Sequence, residues 1–235
     1  MSIKISLKNN INDKLVKNYV LFCDENFKIS GFNNLYLKKS SSEIQNMVNL
    51  NKNIKKEFLL FNINSSQKII LIKVRKNYSS AENEKLGASF YKFVKSNFVF
   101  KFTIFDQNVK EFFSKNKLFL DEFIHGMKLK SYSFDKYKSK KGIKLLKMNI
   151  LMVKKINKEI KKRFNALEQG VNYTKDLVSE PGNILHPDEY AKRLVKLKKY
   201  GLKVTVYDQK KLKKLGMNTL LGVGQWSIRG LYLVT

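Results

Sequence analysis

The sequence predicts an α/β protein: an α/β sandwich over residues 1–153, a connecting helix over 154–180, and an α/β unit begun over 181–235. Three observations carry that prediction. Lys68–Val74 (KIILIKV) is an almost continuous apolar run of strand length, which marks a strand covered on both faces. Leu86, Phe90, Phe93 and Val94 then recur at helical spacing, and Phe98–Phe105 is again rich in aromatic and β-branched residues. Strand, helix, strand in alternation is the pattern of a sheet buried between helices.

The elements follow in order. Ile3–Leu7 and Tyr19–Cys23 read as short strands, with a helix expected around Ser42–Val48 and a strand around Phe58–Asn62. Ser79 offers a helix N-cap, and Glu82 three residues on completes a capping box. Phe119, Leu120, Phe123, Ile124 and Met127 form a second helical stripe, and Leu145–Val153 a further strand. From Lys154 to Val178 there is no proline and the only glycine is Gly170, so one long amphipathic helix is expected, ending at Pro181-Gly182. His186-Pro187 opens another helix, with proline at its first position, Asp188 and Glu189 in its first turn, and Gly201 as its stop. Leu202–Tyr207 alternates as a strand, Asp208 caps a short helix ending at Leu215-Gly216, and Thr219–Val223 reads as another strand.

Composition narrows the function classes. No stretch approaches the ~18 uninterrupted apolar residues of a membrane span, and the first ten residues lack an apolar leader core, so a cytoplasmic protein with no membrane partner is expected. The single cysteine, Cys23, excludes a disulfide within the chain, and its apolar surroundings predict a small buried hydrophobe. The net charge of +28 is nearly all lysine, spread along the chain, with only Arg75, Arg163, Arg193 and Arg229 as arginines. Specific readers of nucleic acid lean on the arginine fork. A solvated surface shaped by AT-rich coding and a real, non-specific affinity for nucleic acid or another polyanion both fit.

The candidate chemistry is thin. Gly222-Val223-Gly224 partly matches a dinucleotide loop after an expected strand, but the third glycine is missing, and a tight turn explains it as well. His125 and His186 have no metal-ligand spacing; the first reads as a surface or satisfied histidine, the second as a turn residue. Asp121-Glu122 sits on an otherwise basic helix, and Asp188-Glu189 suits a helix amino terminus. Ser227 lies in no nucleophile elbow. Aromatics among the lysines of Phe90–Phe105 could stack bases, though their alternation fits a sheet better. No catalytic, metal-binding or substrate-binding residue is therefore assigned.

Three segments together carry a resemblance. They are Phe123–Lys138 (FIHGMKLKSYSFDKYK), Glu168–Val171 with Asp176–Pro187 (DLVSEPGNILHP), and Lys214–Met217 with Gly222–Gln225. In order and spacing they resemble the bacterial leucyl aminopeptidase (cytosol aminopeptidase) family, over roughly residues 119–235.

That resemblance implies a macro-like amino-terminal domain and a catalytic domain that opens near Pro181. It implies metal-dependent removal of amino-terminal residues from peptides. Two divalent cations, manganese or zinc, would activate water, and the subunits would assemble as a homo-oligomer, a hexamer in the family. The family's metal ligands and its catalytic lysine and arginine lie in V-G-K-G-x-T-F-D-S-G-G and N-T-D-A-E-G-R motifs, to which no position here corresponds. Trp226 and Leu231 depart from the family pattern. A truncated member is thus expected, binding no metal and inactive alone. The alternatives are a DNA- or polyanion-binding module in the amino-terminal domain, as in some relatives, or an assembly partner of a full-length paralogue.

Overall fold

The computed structural model describes residues 3–8, 18–30, 41–51, 56–75, 77–105, 108–109, 116–139, 146–151, 157–225 and 227–235. The chain forms two compact units, Met1–Val171 and Asn172–Thr235.

The first unit is built on a six-stranded sheet: β1 (Ile3–Lys8), β2 (Asn18–Cys23), β3 (Phe58–Asn62), β4 (Lys68–Lys73), β5 (Lys101–Phe105) and β6 (Leu146–Leu151). Their spatial order is β1-β6-β5-β2-β4-β3. All neighbours pair in parallel except β3, which runs antiparallel to β4 at one edge.

Alternation along β2 and β4 divides the core in two, because successive side chains of a strand point to opposite faces. Val20, Phe22, Ile70 and Ile72 join the cluster under helices α2 (Ser80–Ser96) and α3 (Phe119–Lys130). Tyr19, Leu21, Cys23, Ile69 and Leu71 join the other, which takes Ile44 and Val48 from helix α1 (Ser41–Leu50). The apolar run that predicted a doubly covered strand is β4, buried on both faces.

β2 and β5 pair only at Tyr19↔Thr103 and Val20↔Ile104. Beyond that point the buried amide of Asn108 substitutes for a strand partner. Its Oδ1 accepts the Phe22 N–H at 2.7 Å, and its Nδ2 donates to the carbonyls of Phe22 and Ser30 at 3.3 and 2.7 Å. A backbone pair left bare here would cost a full desolvation penalty.

The capping box forms as the sequence predicts. Ser79 accepts the Glu82 N–H while its own N–H donates to the Glu82 carboxylate at 2.8 Å. The long helix is α4 (Lys158–Ser179), opened by Asn157, whose Oδ1 accepts the N–H groups of Glu159 and Ile160. The division between the two units falls within it. The expected helical residues 154–156 lie outside the described residues.

The second unit contains α5 (Pro187–Val195), continued by a 3-10 turn over Lys196–Tyr200, then β7 (Val206–Tyr207), α6 (Gln209–Lys214), α7 (Asn218–Gly224) and β8 (Leu233–Val234). Gly201, at φ 86°, ends the turn in a left-handed conformation that glycine adopts without penalty.

Two expectations are corrected here. Thr219–Val223 is helical, closed by the Leu221 N–H bond to the Met217 carbonyl, because a five-residue apolar run does not by itself separate strand from helix. The strand expected over Leu202–Tyr207 is only Val206–Tyr207, as long as the antiparallel pairing that β8 supplies, with reciprocal Thr205–Thr235 bonds beside it.

One contact in the first unit is unusually close. A Cβ on Gly87 would fall on the Phe123 carbonyl, and a Cβ on Gly126 on the Glu84 carbonyl, so α2 and α3 cross backbone against backbone. Gly126→Ala should therefore lower stability by on the order of 3 kcal/mol through overpacking. By thermal denaturation that loss corresponds to a fall of roughly 6–12 °C for a chain of this size. Gly170→Ala, in α4 with open space around it, should leave the midpoint unchanged or raise it.

Candidate functional site

In the first unit the polar residues that drew attention in the sequence serve helix contacts. Glu122 is buried. Its carboxylate accepts the Ser80 hydroxyl at 2.6 Å and the Asn83 amide at 2.7 Å, bridging α3 to the start of α2. His125 is buried and satisfied at one nitrogen: Nδ1 lies 2.9 Å from Glu84 Oε1. Its ring packs on Phe164 of α4 at 5.0 Å between centroids, and its Nε2 is buried without a partner. One turn further, Lys128 Nζ donates to the buried Glu168 at 2.7 Å and to Asn165 at 3.3 Å.

A cleft of about 340 Å³ opens near the carboxyl ends of β2 and β4, lined by Glu25, Glu57, Lys73, Arg75 and Tyr78. Ligands of parallel sheets commonly bind beyond this end of the strands. Arg75 faces Glu25 at 3.7 Å, and Lys73 lies over the Phe27 ring at 4.3 Å. Burial raises both the Glu57 carboxyl and the Tyr78 hydroxyl above their ordinary values. The cleft thus mixes opposed charges, of which Arg75 and Glu25 already face one another.

The ion pairs of the second unit's described residues lie around the amino end of α5 and Glu180. Asp188 accepts the Tyr232 hydroxyl at 2.7 Å and faces Arg229 at 3.9 Å. His186, the N-cap, brings Nδ1 to 3.2 Å from Asp188 without the alignment of a hydrogen bond. The Tyr232 bond, and then the charges of His186 and Arg229, hold the Asp188 carboxyl below the ordinary aspartate value. Arg193 bridges Glu189 at 2.9 Å and Glu180 at 3.2 Å, which keeps Glu189 low in turn. Tyr173 donates to the Arg193 carbonyl at 3.0 Å. The paired acids of the sequence are therefore structural ties, as expected for a helix amino end.

The remaining candidates resolve simply. Cys23 is fully buried and its thiol is pushed up to about 12, chiefly by burial. Gly222 and Gly224 lie in helix α7 and form no phosphate loop or tight turn; Leu231, packed on Gly224, explains the small residue there. Ser227 is exposed and accepts the Arg229 N–H at 3.2 Å. Trp226 lies outside the described residues. Of the aromatics in Phe90–Phe105, Phe90, Phe102 and Phe105 are core and Phe98 is exposed. Among the described residues no three His, Cys, Asp or Glu side chains converge to hold a metal ion.

Comparison with known proteins gives this scaffold its kinship. Residues 172–235 match the model of the cytosol aminopeptidase family, catalytic domain. A probable cytosol aminopeptidase of Phytoplasma mali is 45% identical over 119 residues, 48% of this chain and 24% of that protein. The match in Brucella melitensis is 43% identical over 111 residues, 44% of this chain and 23% of that protein. This segment is similar to the cytosol aminopeptidase family. The match spans about a quarter of the length of these curated aminopeptidases. The fold agrees along the chain. A mutant tomato leucine aminopeptidase superposes with a TM-score of 0.75 over 99% of this chain and 50% of its own, at 19% identity. The bottromycin maturation enzyme BotP gives 0.62 over 93% of this chain and 45% of its own, at 14% identity. The aminopeptidase-like segment thus includes the Asp188 and Arg193 ties.

The Asp188 tie has a definite pH dependence. Because its folded pKa is depressed, its contribution to stability is complete above the ordinary aspartate value and is lost as pH falls through the lowered value. Tyr232→Phe removes the leading cause. In an NMR titration of the carboxylate, that variant should titrate Asp188 closer to its ordinary value than the parent does.

Proposed function

We propose that these 235 residues are the scaffold-bearing front part of a metal-dependent leucyl aminopeptidase architecture, and that alone they do not hydrolyse peptides. The observation that supports this reading is the catalytic-domain match over residues 172–235, joined to coverage of about half of a leucine aminopeptidase chain. In the complete architecture the substrates would be peptides with a free amino terminus, in the cytoplasm, and the assembly a homo-oligomer.

Two divalent ions, manganese or zinc, would supply the Lewis acid and the activated water. A BotP structure holds manganese. The described residues here do not fit such a pair. Two-metal sites need converging carboxylates or imidazoles, and here Glu122, Glu168, Glu180 and Asp188 are each committed to a protein donor. No catalytic step is therefore derived from them. Their role is to hold the helices that a catalytic layer would rest on.

The purified chain, assayed with leucine p-nitroanilide and added manganese, should release p-nitroaniline no faster than buffer. Turnover that follows the monomer peak through chromatography would sink the reading.

A second reading, assembly with a full-length paralogue, draws on apolar side chains that the second unit leaves exposed, among them Val178, Val223 and Ile228. Co-elution of the two chains from a sizing column is the expected result; separate peaks would refute it.

A further inference from the structure

We propose that the cleft beyond the carboxyl ends of β2 and β4 binds a zwitterionic α-amino acid, an inference independent of the aminopeptidase reading. Glu57 takes the ligand ammonium, and Lys73 with Arg75 takes its carboxylate. In charge the cleft stands apart from the rest of the chain. The sequence carries 47 basic and 19 acidic side chains, yet the cleft is lined by two of each, Glu25 and Glu57 against Lys73 and Arg75, with Tyr78 beside them. Such a balance matches a ligand that is neutral overall and carries both signs.

The strands set Glu57 and Lys73 opposite one another. The Lys73 N–H donates to the Glu57 carbonyl at 2.9 Å, one position beyond the Phe58↔Ile72 pairing of β3 with β4. Residues paired in this way share a face of the sheet, with Cβ atoms about 5 Å apart, and opposite charges there ordinarily join. These two do not. Neither forms an ion pair among the described residues, and the Lys73 ammonium lies 4.3 Å from the Phe27 ring centre instead. Lys73 is half-buried, and burial raises the Glu57 carboxyl above its ordinary value. An ammonium brought to Glu57 favours the ionised carboxylate and offsets that cost.

The second pair is loose. Arg75 faces Glu25 at 3.7 Å with the side chains 73% and 65% exposed, an ion pair of the kind that contributes least. Arg75 can therefore turn from Glu25 to a ligand carboxylate at little cost. Other occupants fit the lining less well. A phosphate would meet Glu25 and Glu57, and a divalent cation would meet Lys73 and Arg75. The volume of about 340 Å³ lies at the small end of ligand sites, which suits one amino acid. Half-buried Tyr78 supplies an aromatic surface for its side chain.

Three probes separate the two charges: L-phenylalanine, 3-phenylpropionate, which lacks the ammonium, and 2-phenylethylamine, which lacks the carboxylate. Titrated into the full chain and followed by protein NMR shifts, phenylalanine should bind about tenfold more tightly than either, the effect of one charge-assisted hydrogen bond. Glu57→Gln should reduce phenylalanine to the affinity of phenylpropionate without weakening phenylpropionate itself. Lys73→Gln combined with Arg75→Gln should weaken phenylalanine and phenylpropionate and spare phenylethylamine.

The parent series needs no variant, so it decides even where a substitution disturbs folding. Equal binding of phenylpropionate and phenylalanine would overturn the proposal, because the chain's excess positive charge would then explain both. Equal binding of phenylethylamine would do the same, as would shifts confined to residues outside the cleft. So would the absence of any shift at about 10 mM phenylalanine, a concentration at which a millimolar Kd is visible.

Discussion

Helices α2 and α3 touch through their backbones at two points, Gly87 against Phe123 and Gly126 against Glu84. Neither position has room for even a methyl group, so the spacing of the pair is set by the main chain. The close crossing brings Phe90 and Phe123 into ring contact at 5.4 Å between centroids, and Phe22 of β2 meets Phe123 edge-on at 5.5 Å. It also brings Glu122 within reach of Ser80 and Asn83, and His125 within reach of Glu84. A wider crossing would leave those groups buried without partners, at a penalty comparable to losing each bond outright. The layer on this face of the sheet therefore depends on two residues that contribute no side chain.

From that crossing the order extends outward. The carboxyl-terminal half of α3 reaches α4 through His125 on Phe164 and Lys128 on Glu168. The central strands β2 and β4 are apolar on both sides because helices cover both faces, which is how a parallel sheet is ordinarily buried. Where the β2–β5 ladder runs out, Asn108 continues it with a side chain. Glu122 and Asn108 have partners in this core, while His125 Nε2 and Asn83 Oδ1 are buried without one.

The second unit is organised by charge. Its carboxylates are drawn to Arg193, Tyr232 and Arg229, which ties the start of α5 to the segment around Tyr232. The lysines of α5 and α6 are left facing solvent. The family match lies on this unit, while the similarity of fold to leucine aminopeptidase runs through nearly the whole chain. Kinship and net charge are thus separate properties of one segment.

Much of the architecture was legible from local signals. The capping box at Ser79, the proline at the first position of α5, the apolar run of β4 and the isolated, buried Cys23 each depend on a few adjacent residues. The family resemblance rests on short motifs of the same kind. The sequence alone could not separate strand from helix at Thr219–Val223, since five apolar residues satisfy either. Nor could it show that Gly87 and Gly126 face one another's helices, that Glu122 is buried, or that Asn108 completes a sheet. Those facts depend on residues some forty to eighty positions apart meeting in space. The same holds for the charge. Its total is written in the composition, but the pairing of Glu180, Glu189 and Asp188 with Arg193 and Tyr232 was decided by the fold.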